Sequence, residues 1–419
     1  MTKYRKYITL LLLGFSGGAI FVFPYLKYIF YDDVLKTLGI GNADSGLLLT
    51  AYSFGCVALY IPGGILADKL SPRISVVASL FSATVLTLIF AFFFNFASAL
   101  IVWFLMAFAS GFVFWSAVLK AVRIISNEKD QGLMYGIYYS ANGAATALIN
   151  YLCLKVFGYS GGGSHGLFIA VLLMAFFTGI SALGLLFFLK GFEKSETRDE
   201  DKFKFADLTL VIKNPSVWMV SMVFFCIYAV YTCSSYYTPY LTWLGMSSDS
   251  SAELSIVRIN MAMMIASPIG GWIADKLCKS TLKWITYGSV LLAISIAATA
   301  LTGGSSLMMT SIVSVIPGWI VMSMYGIMFS SFQEIQVPVK VSGTAIGFAS
   351  IISYSPDLFM NTVYGSVLDK YPGAASMTAY KIIFLSLACL ALLSALLSLC
   401  IRARNKARKT TPLTIMASE

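Results

Sequence analysis

A short phrase that occurs twice constrains this chain more than any other feature. Gly64-Ile-Leu-Ala-Asp68-Lys69-Leu70 closes one apolar stretch, and Gly271-Trp-Ile-Ala-Asp275-Lys276-Leu277 closes another about half a chain length later. Further pairs recur in the same order at nearly the same step: Phe23-Pro24-Tyr25-Leu26 with Thr238-Pro239-Tyr240-Leu241, Gly132-Leu-Met-Tyr-Gly136 with Gly343-Thr-Ala-Ile-Gly347, and Asn150 with Asn361. Ordered correspondences mark a duplicated unit. A duplicated apolar unit is the sequence form of a transporter whose two halves rock around a central site.

Hydrophobic residues make up 58% of the 419 positions and charged residues 11%, far from the usage of soluble domains. The apolar runs are continuous and about twenty residues long, which selects membrane helices over the alternating strands of a barrel. Twelve such runs lie between the charge clusters, at residues 8–30, 45–67, 74–95, 98–121, 132–154 and 166–189, then 216–241, 252–274, 283–302, 306–332, 343–366 and 379–401. The expected architecture is an all-α membrane protein with twelve transmembrane helices in two pseudo-symmetric six-helix halves, 1–190 and 216–401. A linker at 191–215, too charged to build a core, joins them, and a basic tail at 402–419 follows.

The formal charge of +10 invites a nucleic-acid reading, but 23 of the 29 lysines and arginines fall in the segments that share a side with the N-terminus. The positive-inside rule explains that bias and places both termini in the cytoplasm, so no nucleic-acid partner is expected. The seven cysteines are scattered, mostly within spans, with neither disulfide nor metal spacing. The first apolar run is too long for a signal-peptide core and has no small-residue cleavage pattern, so it is expected to remain as the first span. Because no nucleotide loop, catalytic set or metal cluster is visible, neither an enzyme nor a cofactor is expected.

Twelve spans, a charged central linker, and Gly-x-Leu-Ala-Asp-Lys with Arg73 five residues after Asp68 resemble the major facilitator superfamily over almost the whole chain. The resemblance implies alternating access, a cell (inner) membrane location and a single sufficient chain. Ser71-Pro72 departs from the Gly and basic residue often found there. The segment from Lys120-Ala-Val-Arg123 to Asp130-Gln131-Gly132 resembles the organophosphate and sugar-phosphate branch. The proline-bearing motif of drug exporters is missing from Gly136 to Asn150, which counts against multidrug efflux.

A charge inside hydrocarbon costs about 2.5–3.5 kcal/mol on insertion scales, so each one needs a reason. Asp357, in Ser353-Tyr-Ser-Pro356-Asp357, is the deepest acid and the expected proton-coupling residue, because a carboxylate away from water can change charge near physiological pH; its bland alternative is a paired structural acid beside a kink. Arg258 is expected to grip an anionic group through paired hydrogen bonds, with Asp357 competing for it in the empty site; otherwise it is interfacial. Lys27 and Lys120 have stems long enough to reach an interface, but if both face the cavity they make it cationic. Tyr236, within the series Tyr228, Tyr231, Tyr236, Tyr237 and Tyr240, suits a sugar ring or simple packing, and Asn150 and Asn361 can bond a ligand or join helices.

Pro24 and Pro239 are expected to kink the first and seventh spans. Asp68, Arg73 and Asp275 of the repeated motifs, with Arg123 and Glu334 at equivalent ends of spans four and ten, form an expected inner gate, or else bond locally within each half. These readings converge on a symporter or exchanger of a small organic anion, a sugar phosphate or sugar-derived acid, driven by protons or a counter-anion. Efflux of hydrophobic cations and a solute sensor that moves nothing are the rivals.

Overall fold

With no water in the bilayer core, each spanning segment must satisfy its own backbone, and helices do so. The computed structural model describes residues 3–125, 131–190, 209, 211–302, 306–337 and 339–410, among which there is no strand. The first half contains α1 (Lys3–Val22), α2 (Tyr31–Leu38), α3 (Asn42–Lys69), α4 (Pro72–Phe92), α5 (Phe96–Met106), α6 (Phe114–Ile125), α7 (Gln131–Tyr159) and α8 (Gly163–Phe188). The second contains α9 (Pro215–Thr232), α10 (Tyr237–Trp243), α11 (Ser248–Ser255), α12 (Ala262–Trp272), α13 (Thr281–Thr302), α14 (Leu307–Tyr325), α15 (Val339–Tyr354), α16 (Met360–Lys370) and α17 (Ser376–Thr410). The all-helical membrane architecture read from the sequence is the one found.

Among the described residues nine helical stretches are long and apolar enough to cross a membrane. Outside that set stand α3, α7 and the α15–α16 pair, at the places expected for the second, fifth and eleventh spans. Each of the three packs on a helix of the opposite half. Helix α3 packs on α16, and α7 packs on α12 and on the widened turn Ile256–Met261 that joins α11 to α12. Buried apolar side chains form two clusters, one spanning Leu10 to Leu189 with Ala252 and Ile256 added, the other spanning Val211 to Ile401 with Tyr31 added.

The bundle has a near end, where α1 begins and α17 finishes, and a far end, where α3 begins. At the far end the halves interlock. The Asp369 carboxylate, in the last turn of α16, accepts from the Asn42 amide N–H (3.0 Å), the Asn42 side chain (2.7 Å) and the Ala43 amide (2.8 Å). It therefore caps the N-terminus of α3 from the opposite half. A Cβ on Gly46 would collide with the Asn361 carbonyl, and one on Gly365 with the Asn42 carbonyl, so two glycines set how closely α3 and α16 cross. Lys155 and Glu253 add a half-exposed ion pair of 2.7 Å between α7 and α11. Asp369 closes a third phrase of the repeated kind, Gly365-Ser-Val-Leu-Asp369-Lys370, placed at the opposite end of the bundle.

Among the described residues, near-end hydrogen bonds of Arg5, Arg73 and Glu334 lie within one half. Arg5 donates to the Lys190 carbonyl (2.5 Å) and Arg73 to the Leu186 carbonyl (2.9 Å). Glu334 accepts from Ser280 Oγ (2.7 Å) and from the Thr281 and Leu282 amides, capping α13. Glu334 therefore follows the local alternative in this conformation: three donors from its own half, two of them otherwise orphaned helix amides, occupy the carboxylate. Asp275 is exposed. The Asp68 and Arg123 side chains lie outside the described residues.

Candidate functional site at three broken helices

Three spans break where the two halves meet, and each break presents a polar side chain. After α1 the chain leaves the helix at Phe23 and makes a tight turn at Leu26–Tyr28, which carries Lys27. Pro24 lies in this break, as a residue without a backbone donor should, and its carbonyl is held by the buried Trp103 indole N–H at 3.0 Å. Between α9 and α10 a tight turn spans Cys233–Tyr236. Pro239 was expected to mark this second kink, but it sits in the first turn of α10, where a missing N–H costs nothing; the bend falls just before it. Between α15 and α16 the turn Ser355–Leu358 carries Pro356 and Asp357. Discontinuous helices at a repeat interface are where transporters place their binding groups.

These breaks bring a cation and an acid into one buried network. Lys27 is 5% exposed and Asp357 2%. Lys27 Nζ donates to Asn361 Oδ1 at 2.8 Å and lies 5.3 Å from the centre of the Tyr236 ring, so its charge meets a carbonyl dipole and an aromatic face. Asn361 Nδ2 donates onward to Thr232 Oγ1 (3.2 Å) and reaches Asp357 Oδ1 (3.5 Å). The Thr232 hydroxyl donates to Asp357 Oδ1, and Tyr228 OH donates to Oδ2 at 2.6 Å. Tyr28 OH donates to the Thr232 carbonyl at 2.6 Å, and Tyr236 OH to the Asn361 carbonyl at 2.5 Å. Four of these seven bonds join the α9–α10 segment to the α15–α16 segment, the Asn361 to Asp357 contact lies within the latter, and those of Lys27 and Tyr28 cross from the first half.

Tyrosines surround the pair. Tyr228 meets Tyr354 edge-on at 4.7 Å, Tyr231 stacks on Tyr325 at 5.2 Å, and Tyr25 contacts Tyr28 and Tyr52 at 5.5 and 6.0 Å. Tyr25, Tyr231, Tyr325 and Tyr354 retain partial exposure. Phenol faces stack on sugar or heterocyclic rings while their hydroxyls exchange hydrogen bonds with them.

Arg258 is placed elsewhere. It sits in the widened turn Ile256–Met261, is fully buried, and donates from Nε to the Ser314 carbonyl (3.0 Å) and from Nη2 to Ser314 Oγ (3.1 Å). Its guanidinium lies 4.9 Å from the Tyr237 ring centre, and Gly318 of α14 leaves the room it fills. The expected competition between Arg258 and Asp357 is not seen, because every named partner of Arg258 belongs to the interior of the second half. Asn150 donates to Asn260 Oδ1 at 3.2 Å and joins α7 to the second half. Tyr236 is fully buried, so it supports Asn361 rather than lining open space. Lys120 is half-buried on α6. Sequence reasoning missed Thr232, Tyr325 and Tyr354; only Tyr354 left a signal, three residues before Asp357.

The sequence profile of the Major Facilitator Superfamily matches residues 7–360. Two Escherichia coli (strain K12) proteins are similar over most of their length: the inner membrane protein YqcE, 26% identical over 380 residues and 89% of each chain, and the inner membrane protein YihN, 25% identical over 418 residues and 98% of each. Among solved structures, a bacterial homologue of the human lysosomal transporter Spinster, in an inward-facing and unoccupied conformation, superposes with a TM-score of 0.75 at 16% identity, covering 97% of this chain and 99% of that one. The nucleoside transporter NupG gives 0.72 at 15% identity, with 96% and 99% covered. At such identities the structures share the fold alone.

Proposed function

Because the chain belongs to the major facilitator superfamily, and so is a transporter rather than an enzyme, we propose that it is a secondary active transporter of a small organic anion with a sugar-like body, a sugar phosphate or sugar-derived acid. The observation that carries this reading is the Lys27 and Asp357 pair, buried between the halves at helix breaks within a tyrosine cage. Asp357 already receives Tyr228 and Thr232, whereas among the described residues Lys27 has only a neutral carboxamide as its hydrogen-bond acceptor. A carboxylate or phosphate of the substrate supplies the anion that Lys27 lacks. The partly exposed tyrosines take the body of the molecule, and Asp357 takes the coupled proton.

Halves 1–190 and 216–401 rock about this point, with 191–215 as their cytoplasmic connection and 402–419 as a cytoplasmic tail. The basic residues clustered on the near end support a cytoplasmic near end, and the two similar E. coli inner membrane proteins support that membrane. The fold encloses its site within one chain, which supports a monomer. With both ends labelled in this way, the interlocked far end makes this an inward-facing conformation.

The test is uptake of radiolabelled glucose 6-phosphate and glucuronate into proteoliposomes under an inward proton gradient. Lys27→Met should lower uptake roughly 30-fold or more, the scale of about 2 kcal/mol expected when a buried charge loses its partner. Asp357→Asn should leave a residual uptake that no longer responds to pH. Uptake of tetraphenylphosphonium in place of the anions would favour cation efflux, and saturable binding without flux would favour a sensor; either result overturns the proposal.

A further inference from the structure

Asn361 stands between the two charges, and elementary hydrogen-bond chemistry dictates how it must stand. An ammonium only donates, so Asn361 has to turn Oδ1 toward Lys27. An ionised carboxylate only accepts, so every donor next to Asp357 has to point at it. The observed chain obeys both constraints: Lys27 Nζ to Asn361 Oδ1 (2.8 Å), Asn361 Nδ2 to Thr232 Oγ1 (3.2 Å), and Thr232 Oγ1 to Asp357 Oδ1. Every N–H and O–H points from the cation to the anion. Such a chain is cooperative, each bond polarising the next, and it holds its direction because its two ends differ in kind. Tyr236 OH fixes the Asn361 carbonyl at 2.5 Å, which holds the carboxamide in register.

We infer that Asn361 is a positioning residue whose carboxamide transmits the charge state of Asp357 to Lys27, so that protonation of Asp357 releases the ammonium to hold the substrate's anionic group. The inference rests on the proton-coupled reading above. A proton arriving at Oδ1 makes Thr232 Oγ1 the acceptor there and takes the anion off the end of the chain, so Asn361 is no longer polarised toward Lys27 and its contact with the ammonium weakens. A proton arriving at Oδ2 turns the Tyr228 hydroxyl toward Tyr25 OH, 3.5 Å away, and the chain ends on a neutral acceptor that polarises it less. Both routes weaken the hold on Lys27, and the proton is returned to water when Asp357 ionises and the chain re-forms.

Titratable groups face Asp357 from the elements packed around it. Lys27, Tyr25 and Tyr28 come from the break after α1, Cys56 from α3, Tyr228, Tyr231 and Cys233 from α9 and its following turn, and Tyr354 from α15. Phenols and thiols are neutral at neutral pH, so Lys27 is the one charged partner among them, and Asn361 lies on the path between the two.

Infrared difference spectra between acid and neutral pH test this on the full chain in liposomes, with asparagine and glutamine carrying ¹³C-labelled side-chain carbonyls, and no substrate is required. In the wild type, growth of the protonated carboxyl band of Asp357, identified by its loss in Asp357→Asn, should be accompanied by a shift of one labelled asparagine carbonyl band. That band should vanish in Asn361→Leu and persist, displaced, in Asn361→Gln; size-exclusion and helical circular dichroism confirm that both variants fold. Titration of Asp357 with the carbonyl band silent overturns the inference and leaves the transport reading standing. Absence of any Asp357 titration overturns the proton coupling itself, and this inference with it.

Discussion

The two ends of the bundle use similar residues for opposite purposes. At the far end Asp369 caps a helix that belongs to the other half, glycines let α3 and α16 cross at backbone contact, and Lys155 reaches Glu253 across the same boundary. At the near end Glu334 caps a helix of its own half, and Arg73 and Arg5 bond carbonyls of theirs. An acid at a helix N-terminus thus serves as a joint in one place and as a brace in the other. Among the described residues, these far-end contacts join the halves, while those of Glu334, Arg73 and Arg5 at the near end brace each half within itself.

Several substitutions break or sharpen this contrast. The largest effect is expected from Gly46→Leu, whose side chain would collide with the Asn361 and Thr362 backbone. Overpacking of this kind costs about 1–3 kcal/mol or more, enough to keep the far end from closing; uptake should fall to background, and a cysteine at Tyr231 should react with a bulky thiol reagent added from the far side. Normal uptake would show that α3 and α16 need not cross so closely.

Asp369→Ala comes next. Loss of a cap costs about 0.5–2 kcal/mol, so pulsed electron-spin distances between labels at Ile40 and Pro372 should shift toward the open form by roughly 2- to 30-fold in population, with Asp369→Asn recovering part of the shift. Glu334→Ala removes a comparable cap on the scale of about 1 kcal/mol, but from within one half. Its melting temperature should drop while the label distances stay put, and a change in those distances would refute the assignment of a brace. The smallest effect belongs to Lys155→Gln. An exposed ion pair is weak and screened, so the change in population should be roughly twofold in dilute buffer and absent in high salt.

The duplication, the membrane helices and the all-helical class were legible in the sequence because each follows from composition and spacing along one segment. Lys27, Asn361 and Asp357 were also singled out, since a polar residue inside an apolar run is visible without a structure. Which way a side chain turns was not legible. Arg258 lies at a depth suited to a cavity, yet the widened turn around it aims the guanidinium at Ser314, and a helical wheel does not record such a turn. Tyr325 and Tyr354 join Tyr228 and Tyr231 only through tertiary packing. The Pro239 kink was misplaced because proline disrupts a helix interior but not its first turn. Asp369 had a signal that went unread: the third Gly-x-x-x-Asp-Lys phrase, which falls outside the two-fold step of the repeat.

The cap that Asp369 places on α3 makes two amide protons into a clock. While the far end is shut, the N–H groups of Asn42 and Ala43 are held by a carboxylate from across the boundary. They become free to exchange with deuterium only when the halves part. Their exchange times therefore count openings of the protein one by one, in the resting chain and with no substrate added.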